Sequence, residues 1–374
     1  MDATVDRIRD ALRTVLDPEI GRPITDLGMV RSVSVQDGIV DVTVLLTISG
    51  CPLRERITDD VRAAVRAVPG VTDVRLTMDV MTDAERSALR SRLQPGTAQR
   101  TAASQIGPAT RVYAVASGKG GVGKSTVTVN LAAALASGGM RVGIIDADIY
   151  GFSIPRMMGV DSRPTQIDGM LIPPMAHGVK VISAGMFVAG NAAIVWRGPM
   201  LHRALQQFVS DVYWDDLDVL LLDLPPGTGD MALSTAQLIP SAELLVVTTP
   251  QLAAAEVAER AGSMAGQTHQ RVAGVIENMT AMTLPDGTRI NVFGTGGGAA
   301  VAHSLGRLTG SPVPFLGDVP LSPELCQAGD AGVPIVLSAP ESVAGQAFLS
   351  LARKLEAKAR SLAGRSLTVL PVAG

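Results

Sequence analysis

The fold class predicted for this 374-residue chain is a doubly wound, mainly parallel α/β domain preceded by a small α+β module. Three observations predict it. From residue 111 onward, short apolar segments of strand length recur with helical stretches between most of them, the pattern of strands buried on both faces. A loop rich in glycine and lysine, Gly118 to Thr126, joins the first of these segments to a helical pattern. Residues 1–94 follow a different rhythm, with amphipathic helices and strands that alternate apolar and polar positions.

In the N-terminal part, Ile8, Leu12, Val15 and Leu16 lie at helical spacing. Val33 and Val35 mark one strand, and Val40, Val42, Val44 and Leu46 alternate as a second with one buried face. Gln36-Asp37-Gly38 supplies the hairpin turn between them. A helix is expected from Pro52, where a missing N–H costs nothing, through Ile57, Val61, Ala64 and Val68, and Pro69-Gly70 stops it. Val74, Leu76 and Met78 then form a further strand. From Gln94 to Thr110 the composition shifts to small and polar residues without periodicity, which assigns residues 95–110 to a linker and 111–374 to the second domain. Its expected buried strands are Val112 to Ala116, Val142 to Ile145, Val179 to Ser183, Val219 to Leu222, Leu244 to Thr248 and Val272 to Ile276. Phe348, Leu351, Leu355 and Leu362 share a helical face, expected to pack on the sheet rather than on a membrane surface.

The run Gly118, Lys119, Gly120, Gly121, Val122, Gly123, Lys124, Ser125, Thr126 reads as a phosphate-binding loop. Glycines let backbone N–H groups close around phosphate oxygens, Lys124 reaches the β and γ phosphates, and Ser125 offers its hydroxyl to Mg²⁺. ATP with Mg²⁺ is the expected ligand. Asp146 and Asp148 end one strand and Asp223 ends another, so all three carboxylates are expected at the carboxyl edge where open α/β sheets bind ligands. Asp223 fits the acid that supports Mg²⁺, and Gly227 is expected to bring its N–H near the γ phosphate.

Composition narrows the class further. Hydrophobic residues make up 47% of the chain, which argues against disorder. A net charge of −3 without a dense basic run leaves no electrostatic footprint for nucleic acid. The N-terminus lacks a basic segment leading into an apolar one, and no stretch is long and apolar enough to span a membrane, so a cytoplasmic protein without a membrane partner is expected. Two cysteines, Cys51 and Cys326, suit a reducing compartment, and the four scattered histidines offer no zinc spacing.

Lys119, a second lysine inside the loop, resembles the deviant loop of the ParA, MinD and nitrogenase-iron-protein group. That resemblance implies a MinD-like P-loop NTPase fold of the SIMIBI class, and a homodimer in which Lys119 completes the partner's site while Asp148 orients water and Asp146 sits near the Mg²⁺ shell. The stretch Asp223 to Asp230, Trp196-Arg197-Gly198-Pro199-Met200, Glu277-Asn278-Met279 and Phe293-Gly294 before Gly296-Gly297-Gly298 resemble the Mrp/ApbC branch of iron–sulfur cluster carrier ATPases. By that analogy Asn278 hydrogen-bonds the adenine edge and Pro314 packs near the base; Trp196 and Arg197 have no derivable mechanism. Asp17-Pro18-Glu19, Asp26-Leu27-Gly28 and Thr47 to Pro52 resemble the MIP18-type domain of iron–sulfur assembly factors. The implied partners are iron–sulfur assembly proteins and apoprotein clients.

One departure stands out. The carrier branch has a Cys-x-x-Cys pair after Glu-Asn-Met, where two subunits share a cluster; here Thr280 to Thr288 has no cysteine and reads as a hairpin around Asp286-Gly287. Clusters take mostly thiolate ligands, typically about four. Cys51, between a strand and a helix start, is then the remaining candidate Fe–S ligand, its other reading being an inert buried cysteine. Cys326 reads as a core residue. Three functions follow: a cluster carrier or scaffold driven by ATP, an ATP-gated adaptor without a cluster, and a positioning ATPase of the ParA/MinD kind.

Overall fold

The computed structural model describes residues 4–48, 53–93, 106–148, 151–187, 198–227, 230–251, 254–284 and 286–360. The chain begins with α1 (Val5–Leu12), β1 (Val30–Gln36), β2 (Ile39–Leu46), α2 (Arg54–Arg66), β3 (Asp73–Val80) and α3 (Asp83–Leu93). Thr4 caps α1, its hydroxyl accepting the Arg7 N–H at 3.4 Å, and Ile8 and Leu12 turn inward one helical turn apart. Asp37 and Gly38 both adopt positive φ, 49° and 79°, the pairing that a two-residue turn needs to match strand twist. β1 and β2 are antiparallel, whereas β2 and β3 are parallel, so α2 is the crossover between them, with Ile57, Val61 and Val65 buried. Pro52, the expected helix start, lies outside the described residues. Sequence periodicity does not announce α3, which buries only Leu89 and Leu93.

The second part runs β4 (Arg111–Ala116), α4 (Lys124–Ser137), β5 (Val142–Asp146), α5 (Ile154–Met157), β6 (Thr165–Ile167), β7 (Met170–Ile172), β8 (Met175–Ala176), β9 (Val179–Ser183), α6 (Gly198–Ser210), β10 (Val219–Asp223), α7 (Asp230–Leu238), β11 (Glu243–Thr248), α8 (Ala254–Thr268), β12 (Val272–Thr280), β13 (Met282–Thr283), β14 (Arg289–Ile290), α9 (Gly297–Thr309), β15 (Phe315–Pro320), α10 (Pro323–Asp330), α11 (Ile335–Ser338) and α12 (Val343–Arg360). The main sheet has the order β15-β12-β11-β4-β10-β5-β9-β8. All pairings from β15 through β9 are parallel. β4 therefore sits centrally, with the chain turning to one side for β5, β9 and β10 and to the other for β11, β12 and β15; such a reversal opens a crevice at the carboxyl edge. All six expected strands form, and β15 is added at the edge of the sheet. The expected hairpin also forms: β13 and β14 are antiparallel, Leu284 N–H donates to the Thr288 carbonyl, and Gly287 takes φ 84°. α12 packs on α4 and β15 with Phe348, Leu351 and Leu355 buried; Leu362 lies outside the described residues.

Two compact units emerge. The first comprises the described residues up to Leu93 together with Ser162–Met175 and Asp211–Tyr213; the second comprises the rest. A linear reading of composition places one division, at residues 95–110, and assigns all later residues to one domain. The β6–β7 hairpin instead puts Ile167, Met170 and Ile172 into the same hydrophobic core as Ile8, Leu12, Val40 and Val61. Arg90 on α3 pairs with Asp168 in that hairpin's turn at 3.6 Å.

Candidate nucleotide site

The register of the parallel ladder brings the acids together. Asp223 lies beside Asp146 on β5 and Val115 on β4, and Asp146 lies beside Ser183 on β9, so the strand ends align at the carboxyl edge. The loop that leaves β4 turns through Gly121 and Gly123, both at positive φ (76° and 77°), and enters α4 at Lys124. A Cβ on Gly123 would lie 2.2 Å from Asn278 Nδ2, so the backbone there must pass bare. α4 is buried on nearly every face, and its N-terminal N–H groups face the loop that a phosphate would enter.

Asp223 organises the loop. It is fully buried, its Oδ1 accepting from Lys124 Nζ at 2.9 Å and from Thr128 Oγ1 at 3.0 Å, and its Oδ2 from Ser125 Oγ at 2.6 Å. Asp146, also fully buried, accepts from Ser183 Oγ at 3.1 Å and from the N–H groups of Ile154 and Asp148 at 3.3 and 3.2 Å. Burial first, and the neighbouring Asp223 charge second, push the Asp146 carboxyl up to about 7. Burial also raises Asp148 above the usual carboxylate range; its Oδ1 accepts the Gly151 N–H at 3.2 Å. Two buried carboxylates side by side with one ammonium form a hard-oxygen donor set with room for more positive charge. Ser125, Asp146 and Asp223 thus fit a divalent cation such as Mg²⁺.

Two partners in this network were not legible as such. Thr128 lies one helical turn after Lys124, the spacing that could have flagged it. Ser183 ends β9 as Asp146 ends β5, a correspondence that only the strand order makes meaningful.

The loop is braced from both sides. Lys119 is half-buried, and its Nζ donates to Gln251 Oε1 of the same chain. Arg260 Nη1 donates to the Gly118 carbonyl at 2.8 Å. Asn278 Nδ2 donates to the Val122 carbonyl at 2.9 Å, while its Oδ1 is buried without a partner. Glu277 accepts the Gly298 N–H, which fixes the start of α9. Gly227 departs from expectation in that its N–H is already engaged, donating to the Ser117 carbonyl at 3.1 Å and tying the turn after β10 to the end of β4.

Beside Thr126 and Asn278 opens a cavity of about 430 Å³, walled by Met157, Met279, Pro320 and α10. It meets the phosphate loop at Thr126, and Asn278, whose buried Oδ1 has no protein partner, is part of its lining. Pro314 does not line it. That residue is exposed at the opposite end of β15, where its carbonyl accepts the Val275 N–H at 3.0 Å, and Pro320 takes the position beside the cavity. Cys326 also corrects the sequence reading, for it is exposed and lines the cavity while Leu325 and Ala328 face inward from the same helix. Cys51, Trp196 and Arg197 lie outside the described residues. Among the described residues no three His, Cys, Asp or Glu side chains cluster to hold a metal ion, and no helix is long and apolar enough to cross a membrane.

Fold and loop together define a P-loop NTPase of the ParA type. The chain belongs to the NUBPL iron-transfer P-loop NTPase family, whose model matches residues 109–356, and an iron–sulfur cluster assembly protein model matches residues 5–76. It is 61% identical over 366 residues to the iron–sulfur cluster carrier protein of Mycobacterium tuberculosis, covering 97% of this chain and 96% of that one. With the iron–sulfur cluster carrier protein of Bacillus subtilis it shares 40% identity over 357 residues, covering 94% and 97% of the two chains. A nucleotide-binding protein from Archaeoglobus fulgidus, solved in complex with ADP, is 34% identical with a TM-score of 0.53, over 67% of this chain and 91% of that one.

Proposed function

We propose that the chain is an ATP-binding and ATP-hydrolysing carrier that assembles iron–sulfur clusters and transfers them to apoproteins, working as a cytoplasmic homodimer. The observation that carries this reading is the joint presence of the two matched segments with an intact loop, in which Asp223 holds Lys124, Ser125 and Thr128 in one buried network. Near full-length similarity to cluster carrier proteins supports the cargo. In this reading the first unit supplies the assembly module and the second, which carries the phosphate loop, the ATPase.

Gly118 to Thr126 cradle the phosphates, with Lys124 on the β and γ oxygens, and Asn278 meets the base in the cavity beside Thr126. Ser125, Asp146 and Asp223 would hold Mg²⁺, which would supply positive charge to neutralise the phosphates. Asp148 orients the attacking water. Lys119 exchanges its Gln251 contact for the nucleotide of the partner subunit, an ammonium being able to serve a phosphate better than a neutral amide. If isolated Lys119→Ala protein hydrolysed ATP and dimerised as the parent does, the cross-subunit role would be refuted.

A cluster is cargo here, and Cys51 is the residue proposed to ligate it. Anaerobic reconstitution with iron and sulfide, comparing the parent with Cys51→Ala, tests it. Bound iron and sulfide lost in Cys51→Ala place the cargo on the N-terminal module. Absence of cluster in the parent favours the second reading, an ATP-gated adaptor that recruits assembly proteins, for which the cysteine-free β13–β14 hairpin speaks.

A further inference from the structure

Only two cysteines occur in the chain, and one of them stands in the wall of the nucleoside cavity. α10 fixes its direction. Ser322 caps the helix, its Oγ accepting the Leu325 N–H at 3.3 Å, while Leu325 and Ala328 anchor the inner face, so Cys326 is held outward and exposed. Asn278, 2% exposed, lines the same cavity, and its buried Oδ1 has no protein partner, the mark of a group kept for a ligand. Arg156 and Asp330 also line it, paired at 3.5 Å with both side chains largely exposed, a contact that solvent leaves weak and easily parted. Its volume of about 430 Å³ falls in the range of small-molecule sites.

We propose that Cys326 is a thiol-modification site at which a small-molecule mixed disulfide and a bound nucleotide exclude one another. The proposal rests on the reading of this cavity as the seat of the nucleobase. The co-reactant is a low-molecular-weight disulfide. The Cys326 thiol gives up its proton, its sulfur attacks one sulfur of that disulfide, and a Cys326 Sγ–S bond forms as the original S–S bond breaks. The departing thiolate takes the bond's electron pair and then a proton, so Cys326 is oxidised and half of the small disulfide reduced. A thiol reductant reverses the exchange. The adduct fills space that the base needs, so oxidation of the small-thiol pool turns ATP binding off without any change in the phosphate loop.

The test uses the full chain and an aromatic disulfide, 5,5′-dithiobis(2-nitrobenzoate), with ATP affinity read by calorimetry before and after treatment, each variant against its own untreated sample. Treated parent and Cys51→Ser are expected to lose at least about tenfold in affinity, a loss of about 1.4 kcal/mol, and to regain it with dithiothreitol. Cys326→Ser is expected to keep its own untreated affinity, and ATP to slow labelling of Cys326 several-fold. Peptide mass mapping of the parent locates the adduct, which keeps the test decisive should Cys51→Ser not fold. ATP affinity that survives an adduct at Cys326, or labelling that ATP does not slow, overturns the proposal. Failure of the untreated parent to bind ATP overturns instead the reading of the cavity.

Discussion

Asp223 is the residue on which the site turns, because three donors from α4 converge on one buried carboxylate. Removing the ammonium leaves Asp223 and Asp146 buried side by side without compensation, and a broken buried pair costs about 3–5 kcal/mol. Lys124→Ala is therefore expected to weaken ATP binding by about 100-fold or more and to abolish phosphate release; calorimetry and a phosphate assay measure the two losses. Gly123 makes a different demand. Its φ of 77° disfavours any side chain, and a Cβ there would collide with Asn278 Nδ2, so Gly123→Ala displaces both the loop and the Asn278 side chain. Its ATP affinity should fall at least about tenfold, and an unchanged dissociation constant would show that the loop reshapes on binding.

Among the elements, α4 has no polar face to give up: the β-sheet lies on one side and α12 on the other. The α12 helix does that covering with Phe348, Leu351 and Leu355 on one stripe, and Phe348 is wholly buried. Phe348→Ala should destabilise the second unit by about 3–5 kcal/mol through lost burial and the cavity left behind. Thermal unfolding should show the drop, and bound ATP should restore part of it by mass action. The β6–β7 hairpin gives the converse case, an element inside the residues matched by the NTPase family model whose apolar side chains serve the first unit's core. Ile167→Ala should lower the stability of α1 and β2, by about 2–4 kcal/mol, and hydrogen exchange of those segments is the readout.

At the scale of the whole molecule, each unit carries its own core and its own response to pH. Burial, helped by the Asp17 charge, raises Glu19 from 4.5 to about 7. The folded chain thus keeps a proton that the unfolded chain releases, so the stability linked to it is complete below pH 4.5 and is lost as pH rises through about 7. The first unit should lose up to about 3 kcal/mol between pH 5 and 8, and Glu19→Gln should flatten that slope, as urea midpoints across this range will reveal. The strands, the phosphate loop and the acids at strand ends were legible because each is a local pattern: apolar runs of strand length, glycines where the backbone must bend, carboxylates where a strand stops. The hairpin around Asp286-Gly287 was legible for the same reason. What periodicity could not disclose is pairing across the chain. Strand order and register put Asp146 beside Asp223 and Ser183, and the packing of the folded chain sent the Gly227 N–H to Ser117, chose Pro320 over Pro314 for the cavity and, through the buried face of α10, turned Cys326 outward. Residue type and local spacing set propensity and charge, and so the groups available for chemistry; which of those groups meet, and which core residues 162–175 join, follows from burial and long-range pairing, which are properties of the folded whole.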